Sequence, residues 1–165
     1  GDVYKRQPLA DGPHSITVTL TDTAGNESAP SAPLSLTVDT AAPAKPAAPT
    51  NHGDDVGSIQ NAQSTAASTD DARPALNVGA NLSDTPKLYV DGVAVAATYD
   101  AVAGTLTPDT PLVEGAHNLS YSLTDAAGNE SAPSDSLKLT VDTTAPTGLT
   151  LNAPVAVDNL SLIHI

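Results

Sequence analysis

The sequence contains no cysteine, methionine, tryptophan or phenylalanine, and tyrosine occurs four times among its 165 residues. Without thiols no disulfide can close a loop and no thiolate can hold zinc. Without large aromatics the core must be built from Val, Leu, Ile and Ala, which bury little apolar surface per residue. A thin core is expected, with something beyond apolar burial to support it. Basic residues are scarce: six Lys and Arg face nineteen Asp and Glu, a net charge of −13. Phosphate binding takes clustered cations, so nucleic acid is not an expected partner. The acidic surplus reads either as a solvated surface or as a supply of carboxylate ligands for divalent cations. No apolar run approaches the roughly 20 residues that a membrane-crossing helix needs, so no membrane span is expected in this stretch.

Both ends read as foreign to the protein. Asp2 to Gln7 back-translates as GATGTGTATAAGAGACAG, and Leu160 to Ile165 as CTGTCTCTTATACACATC, the reverse complement of the first. The first string resembles a transposon end used to tag DNA for sequencing. Residues 1–7 and 160–165 are therefore expected to be adapter-derived, and to pack against nothing specific. Without Asp2, Lys5 and Arg6, 4 basic and 18 acidic residues remain. The native part then runs from about Pro8 to Asn159, a metagenomic fragment of a longer reading frame.

An internal repeat dominates this part. Residues 8–43 return at 111–146, offset by 103 without gaps, and 23 of the 36 positions are identical. A period near 100 has the size of an independent domain, so tandem domains are expected: 8–43 as the C-terminal part of repeat 1, 44–146 as a complete repeat 2, and 147–159 as the start of repeat 3. Ile16, Val18 and Leu20 alternate with Thr17 and Thr19, as Leu119, Tyr121 and Leu123 alternate with Ser120 and Ser122. Leu34, Leu36 and Val38 do the same, matched by Leu137, Leu139 and Val141. Such alternation predicts half-buried strands. Further strands are expected at Leu76 and Val78, at Leu88 and Val90, over 93–98 and over 104–107, with a first strand near 46–50. About seven short strands and no helix predict an all-β, immunoglobulin-like sandwich, with a small closed barrel as the alternative. Pro-rich connectors such as 38–49 stay extended and stiff, which favours a rod of domains.

The series Asp54-Asp55-Val56-Gly57, Thr69-Asp70-Asp71 with Pro74, Glu114-Gly115-Ala116-His117, Thr124-Asp125-Ala126-Ala127-Gly128-Asn129 and Val141-Asp142-Thr143-Thr144-Ala145-Pro146 resembles the bacterial Ig-like repeats of giant biofilm-associated adhesins secreted by type I systems. The resemblance spans nearly all of residues 8–146. It implies repeats that hold a binding tip away from the cell, with calcium near domain junctions stiffening the array. The family often carries Gly-x-Trp before the late strands; here the stretch is Gly104-Thr105-Leu106, which weakens the core but leaves the acidic motifs intact.

Calcium takes six to eight oxygens, mostly carboxylate and carbonyl. Adjacent loop aspartates repel unless a cation or a donor compensates them, and there are two such pairs, Asp54-Asp55 and Asp70-Asp71; Arg73 lies near the second. Asp39 and Asp142 end the last strand of each repeat. The residues alone leave calcium and turn capping open; with the resemblance, Asp39, Asp54, Asp55, Asp70, Asp71 and Asp142 are expected ligands. Asp22, Asp125 and Asn129 are further candidates, although Ala-Gly-Asn makes a good turn by itself. A junction is expected to gather Asp39 of one domain with Asp125, and with Asp54 or Asp55, of the next. His14 and His117 repeat, but zinc needs at least three protein ligands and no other His or Cys repeats beside them, so a strand-start or surface role is expected. No Gly-x-Ser-x-Gly elbow exists for nucleophilic catalysis. The paired carboxylates are sequence neighbours without an aromatic sugar platform, so glycoside hydrolysis is not expected either, nor any other enzymatic activity.

The expected function is a calcium-stiffened spacer in a secreted, cell-surface adhesin supporting cell adhesion and biofilm formation, whose partners are the adjacent repeats of the same chain. The alternatives are a module that itself grips a glycan or a host surface, for which only Tyr89, Tyr99 and Tyr121 are available, and an accessory repeat of a secreted hydrolase.

Overall fold

The computed structural model describes residues 8–148. The expected adapter-derived ends, 1–7 and 160–165, and nearly all of the expected third repeat lie outside the described residues.

Twelve strands occur among the described residues. The first two, β1 (Gly12–Ile16) and β2 (Leu34–Val38), form a separate antiparallel hairpin. The other ten are β3 (His52–Asp54), β4 (Asn61–Ser64), β5 (Ser68–Thr69), β6 (Ala75–Asn77), β7 (Thr85–Val90), β8 (Val93–Val95), β9 (Ala97–Asp100), β10 (Thr105–Pro108), β11 (Gly115–Thr124) and β12 (Leu137–Val141). They form two five-stranded sheets, ordered β4-β3-β6-β10-β9 and β5-β12-β11-β7-β8. The result is the all-β sandwich that the alternation predicts, not a closed barrel.

Several element assignments need correction. Residues 46–50 are not a strand; Pro46 and Pro49 cannot donate to a ladder, and pairing starts at His52. The expected single strand over 93–98 is two. The chain pairs with β7 through β8, then crosses to the other sheet and pairs with β10 through β9. Strands β4 and β5, sequences NAQS and ST, carry no apolar alternation and gave no signal. Asp91-Gly92, both at positive φ (52° and 80°), is the primed two-residue turn that joins β7 to β8.

The core between the sheets is as thin as the composition requires. Leu76, Val78 and Leu106 face Leu88, Val90, Leu119, Tyr121 and Leu139. The only described isoleucine of the sandwich, Ile59, is exposed. Tyr121 is the one large aromatic ring buried there, and burial pushes its phenol pKa up. Strand β11 is not half-exposed as its alternation suggested: Ser120 and Ser122 are buried as well. Past Leu119, β12 no longer accompanies it, and the Glu-Ser-Ala-Pro-Ser segment takes over. The Ser131 and Ser134 hydroxyls accept from the Leu123 and Tyr121 N–H groups, while their own N–H groups donate to the carbonyls of the same two residues. Repeat 1 has the identical arrangement at Leu20 and Val18 with Ser28 and Ser31. The strict repetition of this motif thus has a structural cause.

The hairpin β1–β2 reproduces the register of β11–β12 position by position: Gly12 faces Val38 as Gly115 faces Val141, and Ile16 faces Leu34 as Leu119 faces Leu137. What differs is cover. Val18 is 65% exposed where Tyr121 is 6%, and Leu36 is 37% exposed where Leu139 is 2%.

Gly104 makes the closest approach to neighbouring backbone among the described glycines. At φ +73°, an added Cβ would lie 2.6 Å from the Ala80 nitrogen and 2.7 Å from the Gly79 carbonyl carbon. The close approach lets Val78 and Gly79 both donate to the Gly104 carbonyl. Gly104→Ala is expected to lower stability by about 1–3 kcal/mol from backbone strain alone, with the clash adding to it. Chemical denaturation of the two chains measures the difference.

Candidate functional site

Strand direction sorts the acidic residues into two poles. The chain enters the sandwich through the connector at residues 39–51 and leaves it after Val141, at the opposite end. Strand β3 runs away from the entry end, so Asp54 at its tip lies at the exit. There Asp142 N–H donates to the Thr69 carbonyl (2.9 Å), and a depression of about 410 Å³ is lined by Asp54, Asp70 and Asp142 together with Thr69, Ser64 and Asn61. Asp55 and Asp71 border the adjoining hollow on the other side of the 55–60 loop.

Within this pole, Asp54 and Asp71 are buried and Asp55 and Asp70 exposed. Thr69 organises the buried two: its hydroxyl donates to Asp54 Oδ2 (2.7 Å) and accepts from Asp71 N–H (3.1 Å). Asp54 Oδ1 accepts from Val56 N–H (3.3 Å), and Asp71 Oδ1 from Arg73 N–H (2.6 Å). Burial pushes the Asp71 carboxyl pKa up. The Arg73 N–H opposes that shift, and the neighbouring charges of Asp55, Asp54 and Asp70 add to it. A raised carboxyl pKa means that the charged form costs stability, increasingly as pH rises past the unfolded value. Among the described residues, Arg73 forms no ion pair with either Asp pair; the pairs present are Lys45–Asp135, Lys87–Glu130 and His117–Asp91. Gly57, at φ +72°, lets the 55–60 loop lie directly on the Asp70 carboxylate, where a Cβ would stand 1.9 Å from Oδ2. Beside these groups His52 is 1% exposed with both ring nitrogens unpartnered, and burial lowers its pKa. No sequence signal singled it out.

The entry pole holds the Asp125 turn. Asp125 Oδ1 accepts from Ala127 and Asn129 N–H, and Oδ2 from the Asn129 amide. Asp22 closes the equivalent turn with Ala24 and Asn26 in the same way. In both turns these donors hold the carboxylate below the usual range, the Asn side chain contributing most. Asn129 also reaches across to the preceding repeat, donating to the Asp39 carbonyl (3.0 Å). The Asp39 and Asp142 carboxylates each cap their own connector, accepting from Ala41 and Thr144 N–H.

The expected grouping at a junction therefore needs correction. Asp39 does meet the Asp125 turn, through Asn129, but Asp54 and Asp55 of that repeat lie at its other end, because the connector and then β3 carry the chain to the exit pole. Asp54, Asp70 and Asp142 are what the fold brings together. Among the described residues no three His, Asp or Glu side chains converge closely enough to hold a metal ion. The donor set at the exit pole is all oxygen and rich in charge, as a hard cation requires, but one repeat alone does not close a shell.

The histidines separate in burial, although each stands near the start of its strand, one of the two placements expected: His14 on β1 is half-buried, and His117 on β11 is buried and bonded through both ring nitrogens. The three described tyrosines are engaged: Tyr89 with Glu130, Tyr99 with Gly79 and Leu82, and Tyr121 in the core.

Comparison with known families gives the decisive observation. The family described as Bacterial Ig-like domain matches residues 3–40 and again residues 43–143. The chain belongs to that family. The second match covers every strand of the sandwich, and the first covers the β1–β2 hairpin, the two meeting in the connector at residues 41 and 42. No curated protein matches the chain.

Proposed function

We propose that this tandem of bacterial Ig-like domains is a spacer in a secreted or cell-surface adhesin of the type I-secreted, biofilm-supporting kind, non-enzymatic, and stiffened by calcium at its domain junctions. The observation that carries this reading is the position of Asp54, Asp70 and Asp142 around one depression at the pole where the chain leaves for the next domain. Since Asn129 of one repeat already touches Asp39 of the one before, and Asp39 is the counterpart of Asp142, the next repeat's Asp125 turn would face that depression. Asp54, Asp70, Asp142 and the adjoining Asp55 and Asp71 are the residues that would hold the ion, with the neighbouring turn completing the shell. Bound calcium would neutralise the carboxylates and tie one domain to the next, turning a connector into a stiff joint.

The test is a thermal melt with small-angle scattering on two tandem copies of 44–146, in chelator and in millimolar calcium. At free calcium 100 times the dissociation constant, linkage adds about 2.7 kcal/mol, so both the melting temperature and the maximum dimension should rise. Magnesium should substitute poorly, because it demands a smaller octahedral shell. Identical melting and dimensions in chelator and calcium would refute the reading. A calcium response that survives Asp70→Asn with Asp71→Asn would keep the ion and move the site.

A further inference from the structure

The buried His117 is used by nothing above. Its Nδ1 lies 2.8 Å from Asp91 Oδ2 and its Nε2 lies 2.9 Å from the Val113 carbonyl oxygen. Both partners are acceptors only. A neutral imidazole has one N–H and can satisfy one of them; the imidazolium has two and satisfies both. The three groups belong to different segments. Asp91 opens the β7–β8 turn at positive φ and also accepts from Asn118 N–H. Val113 lies in the crossover between β10 and β11, and His117 is on β11 itself. Next to Val113, Glu114 accepts from the N–H of Thr143 (3.0 Å) and from the Thr143 and Thr144 hydroxyls, all in the outgoing connector. Repeat 1 keeps the equivalent contacts, His14 Nε2 to the Ala10 carbonyl (2.7 Å) and Asp11 with the Thr40 hydroxyl. Asp91 is the added element in the complete repeat.

We propose that His117 is a pH-sensitive clamp: as an imidazolium it pins the β7–β8 turn and the 109–114 crossover to β11, and through Glu114 it fixes the base of the outgoing connector. The other charged groups nearby do not replace it. Lys138 on β12 pairs with Asn118, one register position along, and Glu114 is occupied by the connector. Consistently, the Val113 carbonyl and then Asp91 raise the His117 pKa above its ordinary 6.5, against desolvation. With the folded pKa raised, the clamp is complete below the unfolded value and is lost as pH rises through the folded one. No cation is involved, so the proposal stands apart from the calcium reading.

The test is nitrogen-15 NMR of the histidine rings in the full chain, in chelator, from pH 5 to 9, with amide exchange followed at Asp91, Val93 and Thr143. The expected result is an imidazolium signature for His117 that persists above the titration of free histidine, a midpoint that falls in Asp91→Asn, and protection at the three amides that declines across the same pH range. Asn tolerates the positive φ of residue 91, so this variant keeps the turn. A neutral His117 ring at pH 6, a midpoint unmoved by Asp91→Asn, or amide protection independent of pH after correction for intrinsic exchange would each overturn the clamp.

Discussion

In hydrogen exchange, the amides of β1 should exchange roughly three orders of magnitude faster than those of β11, although the two strands share their register with the following strand. In the complete sandwich the β11 amides open only with the domain, whose stability is expected within the usual range of about 5–15 kcal/mol. Hairpin β1–β2 has the same backbone pairing but an uncovered apolar face, and a two-stranded hairpin is marginal in water. Cover, not local sequence, then sets the difference. Equally slow exchange over 12–16 and 115–119 would show that the hairpin has found another partner or carries more stability of its own than its contacts suggest.

Leu76→Ala should come close to unfolding the sandwich. Leu76 is fully buried, pairs with His52 on one side and Leu106 on the other, and belongs to a cluster of eight buried side chains. Removing a buried leucine side chain costs about 2–5 kcal/mol, more where the site cannot collapse. Tight backbone contacts at Gly104, just before the adjacent strand β10, leave little room for relaxation, so the upper half of that range is expected. Denaturant titration against Leu112→Ala, a half-buried position at the rim, measures it. A loss near 1 kcal/mol would mean that the core is more plastic than its packing implies.

The fold was legible wherever one apolar face alternates with a polar one. Strands β2, β7, β11 and β12 announce themselves through Leu, Val and Tyr at every second position, whereas in repeat 1 the alternating Ile16, Val18 and Leu20 lie at and beyond the end of β1, where the ladder has stopped. Strands β4 and β5 do not, because edge strands of Asn, Gln, Ser and Thr are held by backbone pairing that leaves no mark in hydropathy. Residues 46–50 form no strand because Pro46 and Pro49 lack the N–H groups that a ladder needs. At the site, the residue types were readable but their grouping was not. Whether Asp54 sits with Asp39 or with Asp142 depends on which way β3 runs, a property of topology and not of spacing. His52 and the His117–Asp91 pair lay beyond reach for the same reason: neither burial without a partner nor contact across 26 positions is written locally.

The terminal strands of the sandwich also settle how it meets mechanical load. The chain enters at one pole through the 39–51 connector, and β12 ends at the opposite pole, where it leaves. Tension applied to the two ends of a repeat therefore pulls β12 along its own axis, against β11 on one side and the parallel β5 on the other. Hydrogen bonds loaded in shear share the force and must fail together, whereas bonds opened by peeling fail one at a time. A domain without a single disulfide can in this way resist stretching through strand geometry, and a series of such domains would yield repeat by repeat, lengthening without the chain being severed.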